Sequence, residues 1–151
     1  MASAFWTLED GRGMARRWTG MAYMLELITI ELNEIEGADE FYEYLEQFVY
    51  REENGDFPNG FGGFIRNDKS VLINIDLRTF APKNQEFFWQ AAQNALTKIK
   101  VSADKESEAV EFWLLQLLDM HKRIERGEDP MHLNDMTIVA PLPTEKLGPG
   151  W

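Results

Sequence analysis

Between Val71 and Ile99 the apolar period of the chain changes from two to about 3.6, and that change limits the fold. Val71, Ile73, Ile75 and Leu77 alternate with Leu72, Asn74, Asp76 and Arg78, which predicts a strand with one buried face. After "APKN", Phe88, Ala91, Ala92, Ala95 and Ile99 recur at three- and four-residue spacing, with Trp89 and Leu96 beside them. That stripe predicts a helix running to about Lys100. Strand and long amphipathic helix must therefore share a core.

The rest of the chain extends this pattern. "AFWTL", Ala4 to Leu8, predicts a first strand, and "DGRG" predicts a turn after it. From the N-cap candidate Thr19, the residues Met21, Met24, Leu25, Ile28, Leu32 and Ile35 form a helical stripe. The β-branched "ITI" leaves a strand over Leu25 to Leu32 as the alternative. A second helix is expected from Ala38 to about Tyr50, with Phe41, Leu45, Phe48 and Val49 on its inner face. "REENGDFPNGFGG" reads as a loop, "GFIR" as a strand before the one over "VLINIDLRTF", and "MTIVA" as a last strand. Ser102 predicts the cap of a fourth helix, Ala103 to Arg126, with Val110, Trp113, Leu114, Leu117, Leu118, His121 and Ile124 on one face. "GEDP" stops it, and residues 141–151 are too rich in Pro and Gly to be regular. The expected fold class is α+β, a small mainly antiparallel sheet with about four helices packed on it, in the order β-α-α-β-β-α-α-β. The length of 151 residues is read as a single globular domain.

Charge is unevenly distributed. The net charge is −11, and the stretch from Glu26 to Asp56 holds eleven acidic side chains against one cation, Arg51. The remainder is nearly balanced, fifteen acids against fourteen bases. Nucleic-acid binders cluster the opposite charge, so direct nucleic-acid binding is not expected. The absence of cysteine excludes disulfides, thiol nucleophiles and Cys-ligated zinc, and suits a cytoplasmic location. The N-terminus shows no signal-peptide pattern, and no apolar run approaches the ~20 residues of a membrane span.

No catalytic signature is present. His121 sits on the apolar stripe of the fourth helix, and His132 follows a loop proline. Neither has HExxH spacing or a second histidine at helical distance. His121 therefore reads first as a satisfied histidine at the edge of the core. "GFGG" at Gly60 to Gly63 lacks the Walker A lysine and precedes a strand. Arg12, Arg16 and Arg17 form the one dense basic cluster, either a surface turn paired with the acidic segment or an anion site. With His121 they would be the leading members of a small enzyme or ligand-binding domain. No cofactor and no metal are expected.

The acidic run offers more. One-signed stretches are usually solvated faces. This one contains Phe41, Tyr42, Tyr44, Leu45, Phe48, Val49 and Tyr50, too apolar for a disordered tail. As a helix it sets like charges three and four residues apart, at about 0.2–0.5 kcal/mol each. Acids laced with tyrosines suit the surface of a protein that binds a basic partner. The expected partner-binding residues are Glu36, Asp39, Glu40, Tyr42, Glu43, Glu46, Glu53 and Asp56, with Tyr42, Tyr44 or Tyr50 as buried anchors in the complex.

A small, cysteine-free, acidic chain with aromatic-laced carboxylates, opening "FWTLEDGRGMARRWTG", resembles the immunity proteins of bacterial toxin–immunity pairs. The resemblance implies a non-enzymatic inhibitor of one cognate toxin domain, often a nuclease with a basic cleft. Such proteins have many unrelated folds, so the resemblance carries no residue over by position. A regulatory adaptor or a DNA mimic with the same acidic face is the remaining alternative.

Overall fold

The chain enters the sheet as a hairpin. β1 (Ser3–Thr7) and β2 (Gly13–Arg17) pair antiparallel, with Trp6 opposite Met14 and Thr7 opposite Gly13. The turn closes where the Gly11 N–H donates to the Leu8 carbonyl at 3.0 Å, and Gly11 takes φ 87°, a conformation that favours glycine. The computed structural model describes residues 3–11, 13–46, 49, 65–66, 71–101, 107–129 and 137–138. Within them follow α1 (Trp18–Leu32), α2 (Asp39–Glu46), β3 (Ile65–Arg66), β4 (Val71–Asp76), a 3₁₀ turn (Leu77–Thr79), α3 (Pro82–Lys100), α4 (Ser107–Glu125) and β5 (Thr137–Ile138).

The architecture is α+β, with four α-helices among the described residues. Three strands of five or six residues, β4, β1 and β2, make the sheet, and two-residue strands extend its edges in the order β3-β4-β1-β2-β5. The sheet is mixed. β1 lies parallel to β4, with Trp6 opposite Ile75, because a helical excursion separates the two strands in sequence. The other three pairings among the described residues are antiparallel, so the sheet is mainly antiparallel as expected, with this one parallel pairing added. The element order is corrected, since β2 precedes the first helix where only a turn was expected. "GMARR" has little β-propensity, and pairing to β1 overrides it.

The helix reading of "ITI" holds, and α1 shows why the pattern was ambiguous. Met21, Met24, Leu25, Ile28 and Leu32 are buried on one side, while Ala22, Thr29 and Glu31 are buried as well. A helix covered on several sides loses a clean amphipathic signature. Thr29 is accommodated by donating its Oγ1 hydroxyl to the Leu25 carbonyl at 2.7 Å. α3 begins with Pro82 at its first position and ends with Lys98 and Lys100, both favourable to a helix. Its expected stripe is buried in full, as are Val110, Leu114, Leu117 and Leu118 of α4. Trp113, His121 and Ile124 are half-buried at the edge of that face.

β4 departs from its alternation at Asp76, which belongs to the expected outer face but is fully buried. Its carboxylate accepts from the Arg78 backbone N–H at 2.9 Å and from the Arg78 guanidinium, which caps the 3₁₀ turn. The pairing raises the Arg78 pKa further above its already high ordinary value, chiefly through this hydrogen bond.

Aromatic rings join the layers. Phe88 of α3 meets Trp6 of β1 at 5.7 Å between ring centroids and Phe80 at 6.2 Å. Phe80 in turn receives Phe41 of α2 edge-on at 5.1 Å.

Gly20 decides how α1 and α4 approach. A Cβ there would run into the Trp113 ring. Glycine-to-alanine in an exposed helix gains up to about 1 kcal/mol in propensity, whereas overpacking typically costs about 1–3 kcal/mol. Gly20→Ala is expected to lower stability in urea unfolding, and Trp113→Leu in the same chain is expected to restore part of the loss. A stabilised Gly20→Ala variant would mean that the Trp113 ring is free to swing away.

Candidate functional site

α2 carries the centre of the acidic run. Glu36, Asp39, Glu40 and Glu43 are exposed, Tyr42 and Glu46 are half-buried, and Glu53 and Asp56 lie outside the described residues. Asp39 and Glu40 occupy the first helical turn, where negative charge is favoured by the helix dipole. The opposite face is apolar. Phe41 and Leu45 are buried, and Tyr44 meets the edge of Phe80 at 6.5 Å. Tyr44 is only 8% exposed, and burial raises its phenol pKa above the ordinary value. It is a core residue of this chain, not an anchor held ready for a partner. Tyr42 keeps part of its ring accessible, and Tyr50 lies outside the described residues.

The fold also divides the acidic run, as the sequence did not reveal. Lys98, on α3, places its ammonium 2.8 Å from Glu31 and 3.1 Å from Glu34 of the α1 end. Glu31 is buried and so needs that cation. The hydrogen bonds to Glu31 first, and to Glu34, raise the Lys98 pKa. Two of the acids counted as one patch are therefore partly neutralised. The one-signed surface begins at Glu36.

A second constellation joins the hairpin to the helices. Glu9, in the turn after β1, accepts a 2.7 Å hydrogen bond from the Trp89 indole N–H of α3. His121 of α4 stacks on Trp89 with centroids 4.0 Å apart and planes 14° apart. Its Nδ1 lies 2.9 Å from the same Glu9 oxygen, and its Nε2 lies 2.8 Å from Glu125. The Nδ1 distance fits an ion pair, although that atom makes no well-aligned hydrogen bond there. Both imidazole nitrogens thus face carboxylates of the chain itself. His121 is half-buried at the core edge, as its place on the helix stripe implied, but its Nδ1 is left without an aligned hydrogen bond. Glu9 was not singled out from the sequence, since the one available signal, an acid in a strand-ending turn, is common.

Arg16 and Arg17 stand on β2 opposite Ala4 and Ser3, while Arg12 and His132 lie outside the described residues. Among the described residues no group of three or more His, Asp or Glu is placed to hold a metal, and no helix is long and apolar enough to cross a membrane. No protein-family model, curated protein or solved structure matches this chain.

Glu9 supplies a pH test. Burial works to raise its pKa, but the close approach of His121, its own backbone N–H and the Trp89 indole outweigh that, and the net shift is below the ordinary 4.5. A depressed carboxylate contributes stability that is present above its unfolded value and lost as pH falls through its folded value. Glu9→Gln is expected to cost about 1–2 kcal/mol at neutral pH and to flatten the loss of stability below 4.5. Denaturant unfolding across that range measures both, and an equal cost at every pH would show that the charge of Glu9 contributes nothing.

Proposed function

We propose that the chain is an immunity protein that binds and neutralises a basic toxin domain through the acidic face of α2 and the loop before it. One observation carries the reading. Glu36, Asp39, Glu40 and Glu43 are exposed on a segment that has no Lys or Arg from Ile35 through Gln47, and the same short helix is seated in the core by Phe41 and Leu45. A charged face on an anchored helix is preorganised, so little ordering entropy is lost when it binds. In the complex the carboxylates occupy the phosphate positions of a nuclease-like cleft. Tyr42 and Glu46 border the contact, and Glu53 and Asp56 extend the charge along the sequence. Opposite charge steers the encounter and raises association rates toward about 10⁸ M⁻¹s⁻¹ at low salt. The setting is the cytoplasm, and no cofactor takes part.

The enzyme reading, built on Arg12, Arg16, Arg17 and His121, has weaker support, because His121 is already engaged by Glu9 and Glu125.

The first test is whether a toxin domain is encoded beside this gene, and the second uses that domain. Co-expression is expected to restore growth, and stopped-flow mixing is expected to give fast association that slows as the Debye length falls from about 10 Å at 0.1 M salt to about 3 Å at 1 M. Replacing Asp39, Glu40 and Glu43 by Lys is expected to lower the association rate by about tenfold or more and to leave the circular dichroism spectrum unchanged. A salt-independent rate, or a metabolic operon around the gene with no toxin in it, would sink the proposal.

A further inference from the structure

We propose that a groove between α1 and α3 takes one large apolar side chain of a basic protein partner, whose neighbouring Lys or Arg side chain meets Glu26. This rests on the reading of the chain as a binder of a basic protein, and it adds the anchor that the acidic helix lacks. The groove has a volume of about 190 Å³ and is lined by Tyr23, Ile30, Ala95 and Ile99, with the Glu31–Lys98 ion pair among its walls. That volume is small for a drug-sized ligand, whose pockets start at about 300 Å³. It suits a single inserted side chain, the usual form of an interface anchor.

The exposed row of α1 indicates the partner's chemistry. Tyr23, Glu26 and Ile30 succeed one another at three- and four-residue spacing, so they lie along one ridge of α1, and Glu34 follows in the turn after it. Tyr23 is 37% exposed and Ile30 is 50% exposed, and carboxylates follow each of them. The ridge therefore alternates apolar and acidic groups, and its complement alternates apolar and cationic ones. Lys98 does not oppose that complement, because Glu31 and Glu34 both hold it. From Glu34 the chain passes to Glu36 and into α2, so the acidic helix follows the groove's helix directly in sequence. A second copy of this chain is the poorer occupant, since an isologous contact would set carboxylates against carboxylates on a chain of net charge −11.

The probes are a lysine-rich helical peptide with one tryptophan, and the same peptide with serine in its place. Calorimetry on the full chain is expected to show the tryptophan peptide binding on the order of tenfold more tightly. Ile30→Ser and Tyr23→Ser, both at exposed positions, are expected to remove that difference while weak binding of the serine peptide persists. Lys in place of Asp39, Glu40 and Glu43 is expected to weaken both peptides alike. Equal affinity of the two peptides, or a preference that survives Ile30→Ser, would overturn the groove proposal and leave the acidic-surface reading standing. Failure of either peptide to bind would overturn both. Concentration-dependent dimerisation abolished by Ile30→Ser would assign the groove to self-association and overturn it as well.

Discussion

The packing converges on Phe88. Its ring is fully buried and touches Trp6 of the central strand, Phe80 after the 3₁₀ turn, and Trp89 beside it on α3. Through Phe80 it reaches Phe41 and so seats α2, and through Trp89 it reaches His121 and so seats α4. Sheet and helices are thus held by one run of offset and edge-on rings, each adding directional preference to the area it buries. The acidic helix owes its fixed position to this run. Without Phe41 against Phe80, a short helix with like charges at adjacent turns would have little reason to form.

Buried charge is handled in the same economical way. Asp76 is taken into the interior with Arg78 two residues away. Glu31 goes in with Lys98 from another helix, and Glu9 with Trp89 and His121. A buried carboxylate without such partners would be strongly destabilising. Each of these inward-facing acids meets a partner within the chain, while Glu36, Asp39 and Glu40 are exposed. This division makes the outer acids the reasonable candidates for partner binding.

Legibility in the sequence followed the length of each pattern. The stripes of α1, α3 and α4 repeat over several turns, and their residues from Met21 to Leu32, from Phe88 to Ile99, and Val110, Leu114, Leu117 and Leu118 are buried as their spacing implied, while Trp113 is half-buried. Short signals did worse. β2 buries Met14 between Gly and Arg-rich neighbours, and nothing local in "GMARR" marked it as a strand. Asp76 followed the period of two and was still drawn inside, because an arginine at a turn could meet it there.

The sequence by itself determined the α+β class, the main helices and the acidity of the stretch from Glu26 to Asp56, because periodicity and charge are properties of consecutive residues. Only the tertiary structure decided the parallel pairing of β1 with β4, the engagement of His121 by Glu9, the burial of Tyr44, and the capture of Glu31 and Glu34 by Lys98. The physical reason is separation along the chain. Lys98 stands more than sixty residues from the acids it neutralises, and no local pattern records which distant cation a buried carboxylate will meet.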